Sequence, residues 1–254
     1  MQPQPDTIQL INNLLAQSLS GRKKSFADYA KALQQFGAVQ SDERQGNRLY
    51  GTGFNPLDQF DIAETTHSCL IGNLLNPRYP HGQDDLFLVH FLKLLGVRTP
   101  DQGPWAVTIE GARIDLLLKR QNPHSVIVIE NKSNYAADRE SQLYRYWYQQ
   151  IYLPNQGRKD LDFRKVDTYE RAEINDRYKI LYLAPDAQKK PAEHSLRRPG
   201  HLADVSFPEQ MPIACTHLTY DDFIVKWLKA CLQDLPSTNL RLREYVRMYI
   251  DYWK

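Results

Sequence analysis

The chain has 254 residues and carries 32 Lys and Arg against 30 Asp and Glu, so its formal net charge is +2. This balance excludes a strongly basic protein that coats polyanions through bulk electrostatics. It leaves open an enzyme that holds its positive charge locally. The length allows one large domain or two small ones, built around a sizeable core.

Three features of the sequence bear on where the protein resides. No run of about 18 apolar residues is present, so no membrane-spanning helix is expected. The first six residues lack the basic and apolar regions of a secretory signal. The cysteines are odd in number and have no metal-like spacing, which argues against a disulfide framework or a zinc cluster. We therefore expect a cytoplasmic protein with reduced thiols that does not associate with membranes.

The first 50 residues are predicted to form a helical extension. Apolar residues recur at helical spacing over residues 7–19, and a second amphipathic stretch follows over 25–36. The polar segment 39–55 contains three glycines and is typical of a loop. We therefore predict an N-terminal helical extension over 1–50 and a single compact domain over 51–254.

The main body begins with two predicted helices, over about 61–75 and 83–95. The periodicity then changes. Three short segments rich in β-branched residues follow at 106–110, 113–119 and 125–131, and they predict an antiparallel meander of strands.

Helices and strands alternate in the second half of the chain. The pattern predicts a helix over 138–152, a strand over 178–183, a weaker strand over 212–217, and helices over 220–234 and 238–252. This order predicts an α/β (α+β mixed) fold in which a mixed sheet is flanked by helices.

The second and third predicted strands place charged side chains opposite one another. If the hairpin turns at Asn122-Pro123, Asp115 lies opposite Glu130. Glu130 and Lys132 share one face, because side chains alternate with a period of two. Directly opposed Cβ atoms are about 4.5–5.5 Å apart. The two carboxylates would therefore repel unless a cation lies between them.

A divalent hard cation suits this arrangement. Mg²⁺ is commonly held by one or two carboxylates and keeps several waters, one of which can act as a nucleophile. A neighbouring lysine can orient that water or stabilise charge developing on a phosphate. The alternative is a solvated face on which Asp115 pairs with Arg113 and Glu130 with Lys132 as plain ion pairs.

These residues resemble the signature of the PD-(D/E)XK nuclease superfamily, in which an aspartate on one strand is followed by E-x-K on the next. Asp115 matches the aspartate, Glu130 the glutamate and Lys132 the lysine, and Ile114 stands where many members have proline. The resemblance implies a restriction-endonuclease-like αβββαβ core and one or two Mg²⁺ ions, for which Mn²⁺ can substitute.

Two further stretches extend the resemblance over about residues 55–150. Gln142 and Tyr146 look like the Q-x-x-x-Y element of the RecB-like branch, and their spacing places both on one helix face. The alternative is that Tyr146 packs the helix and Gln142 is exposed. The segment 64–68 resembles the E-x-x-H-S motif of one bacterial family. The G-R-I-D and I-E-N-K motifs of that family correspond to 111–115, which is one residue longer, and to 129–132.

The resemblance implies the metal ligands. Asp115, Glu130 and the backbone carbonyl of Asn131 would hold the ion, and Glu64 would approach it directly or through water. For Glu64 the alternative is a charge at a helix N-terminus that the helix dipole favours.

The resemblance also implies the reaction. Lys132 would position the attacking water, Gln142 and Tyr146 would orient the water or the phosphate, and the 3′-oxygen would leave. The partner would be nucleic acid, with DNA favoured over RNA. Basic residues interleaved with aromatic ones over 139–165 are a weaker indication of the same partner. An RNA-cleaving defence or toxin effector, a non-catalytic nucleic-acid-binding module and a homodimer remain open.

Four other residues have simpler expected roles. His67 and His81 could touch phosphate, but a hydrogen-bonded packing role is favoured for each. Cys69 is expected in the core. Glu110 either reaches the carboxylate cluster or pairs with Arg113 across the tight turn between them.

Overall fold

The computed structural model describes residues 54–98, 103–111, 113–202 and 206–254, together with scattered positions between 9 and 51. The chain divides into two compact units, Met1–Asn55 and Pro56–Lys254. In the first unit the described positions 28, 29 and 31–35 are helical. Apart from position 9, the helix predicted over 7–19 lies outside the described residues. The helical extension over 1–50 therefore stays a prediction.

The second unit is a five-stranded sheet flanked by helices. The helices are α1 (Glu64–Leu75), α2 (Leu86–Leu94), α3 (Gln142–Trp147), α4 (Val166–Glu170), α5 (Ala172–Asn175), α6 (Glu193–Leu196), α7 (Val225–Asp234) and α8 (Leu240–Tyr252). The strands are β1 (Trp105–Gly111), β2 (Ile114–Arg120), β3 (Ser125–Asn131), β4 (Tyr178–Ala184) and β5 (Cys215–Thr219). None of the helices in the described part of the chain combines the length and apolarity needed to cross a membrane.

The strands lie in the order β1-β2-β3-β4-β5. The first three form the predicted antiparallel meander, whereas β3 pairs with β4, and β4 with β5, in parallel. Leu116 pairs with Ile129 in the central hairpin, so the predicted register is confirmed and Asp115 lies in line with Glu130. The mixed sheet confirms the predicted fold class.

Alternation along the hairpin gives the sheet two apolar faces. On one face Leu116 and Ile129 join a core that is completed by α1, α2, α7 and α8. On the other face Leu117 and Val128 pack with the apolar residues of α3. All four side chains are buried. Each contributes roughly 1.5–3 kcal/mol, so the hairpin is a rigid support for the charged residues at its end.

Helix α1 approaches the sheet closely at Gly72. A Cβ atom at this position would lie 2.6 Å from Ile109 Cγ1 and 2.6 Å from Leu116 Cδ2. Only glycine therefore allows this separation without displacing the two side chains. The contact fixes the distance between the hairpin and α1, whose first residue is Glu64.

Two predicted boundaries differ from the structure. The helix predicted over 138–152 begins at Gln142 and continues as a π-helical segment, Tyr148–Tyr152, and a short turn, Leu153–Asn155. The strand predicted over 212–217 begins three residues later as β5, because pairing with β4 starts at Cys215 opposite Ile180.

Cys69 is exposed, so its expected place in the core is wrong. The buried face of α1 is formed by residues on either side of it in the helical repeat, including His67, Ser68, Ile71 and Gly72. Cys69 therefore points away from the sheet.

Candidate active site

Asp115 and Glu130 lie at the end of the β2–β3 hairpin that is remote from its turn. Asp115 Oδ2 accepts a hydrogen bond of 2.6 Å from the backbone N–H of Asn131. Glu130 is buried, whereas Asp115 is partly buried. The register thus brings together the two carboxylates that the sequence singled out.

Lys132 forms a buried ion pair with Glu130. Its Nζ atom lies 2.6 Å from Glu130 Oε1, and the two side chains are only 7% and 2% exposed. Within the described residues, Asp115 and Arg113 do not approach within the 4.0 Å of an ion pair. The alternative of a solvated face of plain ion pairs therefore does not describe this end of the sheet.

Gln142 and Tyr146 contact the same carboxylate from α3. Gln142 Nε2 donates to Glu130 Oε1 at 2.8 Å and to the Tyr146 hydroxyl at 2.8 Å. Gln142 Oε1 accepts from the Arg139 backbone N–H at 3.3 Å, which orients the amide so that its nitrogen faces Glu130. The Tyr146 hydroxyl lies 2.9 Å from Glu130 Oε2 and 2.7 Å from the Arg113 carbonyl oxygen.

Gln142 and Tyr146 therefore lie on one face of α3, as their helical spacing predicted. Gln142 is 7% exposed and Tyr146 is 5% exposed. The alternative of an exposed Gln142 is wrong, because its side chain points into the protein and donates to the buried Glu130 carboxylate.

The electrostatics of the site follow from burial and from like charges. Burial, together with the charges of Glu110 and Glu64, raises the pKa of Asp115 to about 6. Burial, together with the charge of Asp115, raises the pKa of Glu130 to about 7. Burial alone would lower the pKa of Lys132, but the surrounding carboxylates, Glu130 above all, raise it above its ordinary value. The site therefore has an excess of negative charge.

Glu64 approaches this cluster from the first turn of α1. Its Oε1 atom accepts a hydrogen bond of 3.3 Å from the Asn134 backbone N–H. Its negative charge contributes to the raised pKa of Asp115 and of Glu110. Glu64 therefore lies near the cluster while its carboxylate is hydrogen-bonded to the backbone beyond β3, and its approach to a metal ion stays a prediction.

The Asn131 side chain points to the opposite face of the sheet from Glu130. Its Nδ2 atom donates to the Glu64 carbonyl oxygen at 2.8 Å and to Ser68 Oγ at 3.0 Å. Its Oδ1 atom accepts from the Tyr220 hydroxyl at 2.9 Å. Only the backbone of Asn131 can therefore serve the predicted metal site. Sequence reasoning missed the connecting role of this side chain, and it missed Tyr220.

The two histidines have the expected packing roles. His67 is fully buried and its Nδ1 atom lies 2.8 Å from the Tyr249 hydroxyl. Burial lowers the pKa of His67 to about 4, so the ring is neutral at pH 7. His81 Nε2 lies 3.2 Å from the Asn76 carbonyl oxygen. These contacts hold the histidines within the fold.

Glu110 acts on the carboxylate cluster. Burial and the charges of Glu130 and Glu64 raise its pKa. The alternative pairing with Arg113 is not formed, since among the described residues no ion pair joins the two within an N···O distance of 4.0 Å. Glu110 therefore adds to the negative potential at the end of the hairpin.

The donor set fits a hard divalent cation. In the part of the chain that the structure describes, no group of three His, Cys, Asp or Glu side chains is arranged to hold a metal ion on its own. Mg²⁺ does not need such a group, because it binds through one or two carboxylates and keeps several waters. The carboxyl groups of the partly buried Asp115 and the buried Glu130, beside the ammonium of Lys132, are hard oxygen donors in a site short of positive charge.

Comparison with known proteins identifies the family. No curated protein is significantly similar to the chain, and no solved structure is either. A family model described as the PD-(D/E)XK nuclease superfamily matches residues 54–251. This match spans the whole sheet, the helices on both of its faces and every residue of the site. The chain therefore belongs to the PD-(D/E)XK nuclease superfamily.

Proposed function

We propose that the protein is a divalent-metal-dependent nuclease that hydrolyses phosphodiester bonds, with DNA as the favoured substrate. The observation that carries this proposal is the hairpin register that brings the partly buried Asp115 together with the buried Glu130, beside Lys132 Nζ at 2.6 Å from Glu130 Oε1. The raised pKa values of both carboxyl groups agree with a site short of positive charge. Membership of a nuclease superfamily supports the class of reaction.

In this proposal the ion is Mg²⁺, for which Mn²⁺ can substitute. Asp115, Glu130 and the backbone carbonyl of Asn131 hold it, and Glu64 reaches it directly or through water. The bound cation supplies a Lewis acid that activates water and offsets charge on the phosphate. Both carboxyl groups must lose their protons for this role, so metal binding is expected to weaken as the pH falls.

Lys132 acts as a cation in the proposed reaction. Because its pKa lies above the ordinary value, the ammonium group keeps its proton at neutral pH. It therefore donates hydrogen bonds to the attacking water and offsets negative charge developing on the phosphate, and it does not accept a proton. In the proposed step the attacking water forms a bond to phosphorus and gives up a proton to solvent, while the bond from phosphorus to the 3′-oxygen breaks. The 3′-oxygen takes up a proton from solvent, which leaves a 5′-phosphate and a 3′-hydroxyl.

Gln142 and Tyr146 orient the reacting groups from α3. Through their hydrogen bonds to both oxygens of Glu130 they fix the plane of its carboxylate. Burial and the charge of Glu130 raise the pKa of the Tyr146 phenol, which stays protonated and serves as a donor. From this position the two groups also orient the water or the phosphate.

The test is cleavage of labelled single- and double-stranded DNA and of RNA, with Mg²⁺, Mn²⁺ or EDTA. Asp115→Asn and Lys132→Ala are each expected to lower the rate roughly 10²–10³-fold. The matched controls are Asp222→Asn and Lys226→Ala, which break an exposed ion pair of 2.6 Å elsewhere. These should cut like the wild type.

Two outcomes would contradict the proposal. If the wild type cuts no substrate with either metal, the nuclease proposal fails and the non-catalytic nucleic-acid-binding module is favoured. If activity survives Asp115→Asn, the site is assigned wrongly. If the protein cleaves RNA but not DNA, the assignment of the site stands and the substrate is RNA. This outcome corresponds to the alternative of an RNA-cleaving defence or toxin effector.

We also propose a cytoplasmic location for the protein. Cys69, Cys215 and Cys231 are all free thiols, which supports the reducing environment of the cytoplasm.

We also propose that residues 51–254 form the catalytic domain and residues 1–50 an extension of it. Whether the chain works as a homodimer is decided by sedimentation of the intact chain.

A further inference from the structure

A cleft lies beside the carboxylate cluster, between α3 and the connection from β1 to β2. Its volume is about 420 Å³. Six residues line it: Arg113, Arg139, Gln142, Arg145, Tyr146 and Gln149. Three of the six are arginines, and the others carry hydrogen-bonding groups, so the cleft suits an anionic, polar ligand.

The cleft is built from one helix face and one turn. Gln142, Arg145, Tyr146 and Gln149 follow one another at the spacing that keeps side chains on a single face of a helix. Arg113 reaches the same place from the connection between β1 and β2, where its φ of 65° turns the chain sharply before β2. Secondary structure thus brings the arginines together from two distant segments.

The three arginines of the cleft have no carboxylate partner, whereas several arginines elsewhere in the described residues do. Elsewhere, a carboxylate within 3.3 Å neutralises each member of this set: Arg158, Arg164, Arg197 and Arg247. Within the described residues, Arg113, Arg139 and Arg145 have no carboxylate within 4.0 Å. Three like charges that share one cleft repel one another, so an anion bound there would be strongly favoured.

The cleft and the carboxylate cluster share a wall. Tyr146 lines the cleft, and its hydroxyl lies 2.9 Å from Glu130 Oε2 and 2.7 Å from the Arg113 carbonyl oxygen. Gln142 also lines the cleft and donates to Glu130 Oε1 at 2.8 Å. An anion in the cleft is therefore separated from Glu130 by the thickness of one side chain.

We propose that the cleft binds a backbone phosphate of the nucleic-acid strand, next to the phosphate that is cleaved. The guanidinium groups of Arg113, Arg139 and Arg145 contact its oxygens, since their planar forks match phosphate geometry. This inference rests on the proposed nuclease function. It adds a subsite that sets the path of the strand across α3.

The test is binding of a labelled single-stranded oligodeoxynucleotide in EDTA, measured by fluorescence anisotropy over a range of salt concentrations. The cleft variant is the double substitution Arg139→Gln, Arg145→Gln. The control is Arg98→Gln, Arg247→Gln, which removes the same charge from two arginines paired at 3.7 Å and 3.3 Å. Thermal unfolding checks that both variants are folded.

The cleft variant should bind more weakly, and the slope of its salt dependence should fall by about 0.7 for each phosphate that the variant no longer neutralises. The control should keep the slope of the wild type. In cleavage assays the cleft variant should raise KM and keep kcat, because the arginines hold the phosphate equally in the ground and transition states. Inorganic phosphate should compete only weakly, since the cleft takes a phosphate within a strand.

Three results would overturn the proposal: no binding by the wild type, wild-type binding by the cleft variant, or equal decreases in affinity in the cleft variant and the control. Failure of the proposed function has a different pattern. In that case the wild type cuts nothing, yet the cleft variant still binds more weakly, and with a smaller salt dependence, than the control.

Discussion

The Tyr220 hydroxyl donates a hydrogen bond of 2.9 Å to Asn131 Oδ1, and both side chains are buried. The other end of the same amide donates to the Glu64 carbonyl oxygen at 2.8 Å. One side chain therefore ties β3, α1 and the segment before α7 together directly behind the carboxylate cluster. The relative positions of Glu64 and Glu130 depend on it.

Asn131→Ala should therefore destabilise the protein and disturb the site. The substitution removes the acceptor of the buried Tyr220 hydroxyl and one of the two side-chain donors to the Glu64 carbonyl, the other being Ser68 Oγ, at a cost of about 1–3 kcal/mol. Urea unfolding measures this change in stability. Asn134→Ala is the matched control, because Asn134 is exposed and its side chain makes one hydrogen bond of 3.1 Å, to the Ile62 carbonyl. Equal stability of the two variants would refute the connecting role of Asn131.

Tyr146→Phe should lower nuclease activity about 10–100-fold, because it removes a partner that orients a metal-binding carboxylate. The control is Tyr144→Phe, which removes a buried hydroxyl two residues away whose bond of 2.8 Å goes to the Pro208 carbonyl. Single-turnover cleavage with saturating Mg²⁺ provides the comparison. If both variants cut equally fast, Tyr146 does not act through Glu130.

Metal-free stability should depend on the protonation of Asp115 and Glu130. Their pKa values in the folded protein, about 6 and about 7, lie above ordinary carboxyl values. The folded state therefore binds more protons than the unfolded state at intermediate pH, and the stability from this pair is lost as the pH rises through 6 and 7. His67, whose pKa burial lowers to about 4, has the opposite effect below its ordinary pKa.

The difference in melting temperature between Asp115→Asn and the wild type isolates the effect of the carboxylates, because His67 contributes equally to both proteins. In EDTA, Asp115→Asn should melt at a higher temperature than the wild type at pH 8, where both carboxylates of the wild type are charged. The gap should close toward pH 5. An unchanged gap across this range would mean that the two carboxylates do not repel each other in the folded protein.

Mg²⁺ should raise the melting temperature of the wild type at pH 8, since a ligand that binds only the folded state stabilises it. Asp115→Asn should respond little to the ion, because one of its two carboxylates is gone. Asp222→Asn should respond like the wild type. Differential scanning fluorimetry over increasing Mg²⁺ makes the comparison, and an equal response from all three proteins would place the ion elsewhere.

Gly72→Ala should destabilise the protein by about 1–3 kcal/mol through overpacking between α1 and the sheet. The added methyl group would meet Ile109 and Leu116 at 2.6 Å. Gly157→Ala is the control, because a Cβ at that position has nothing within 4 Å. Chemical unfolding of the two variants distinguishes a tight contact from a general intolerance of alanine.

The hairpin and its register could be predicted from the sequence for a physical reason. A slip of one residue would expose the apolar set that includes Leu116 and Ile129, so the alternation allows one pairing only. This pairing placed Asp115 opposite Glu130. The helical spacing of Gln142 and Tyr146 was equally informative, although periodicity alone did not give their partner.

Other parts of the site could not be predicted because they depend on distant contacts. Asn131 is an amide in a strand whose residues are all buried, which signals that it needs partners. The sequence does not show that one partner is Tyr220. Likewise, the sequence predicted a tight turn before Arg113, but it did not indicate the positive φ at Arg113 that places this residue in the cleft.

The connections of Asn131 also bear on when the site comes into existence. Its side chain is hydrogen-bonded to Glu64, which lies 67 positions earlier in the chain, and to Tyr220, which lies 89 positions later. Contacts between such distant segments form late in folding, because long loops must close first. In an incompletely folded chain, Glu64 and Glu130 are therefore not yet held on a common frame. The proposed metal centre therefore takes its observed form only after the chain has been synthesised beyond Tyr220 and has folded.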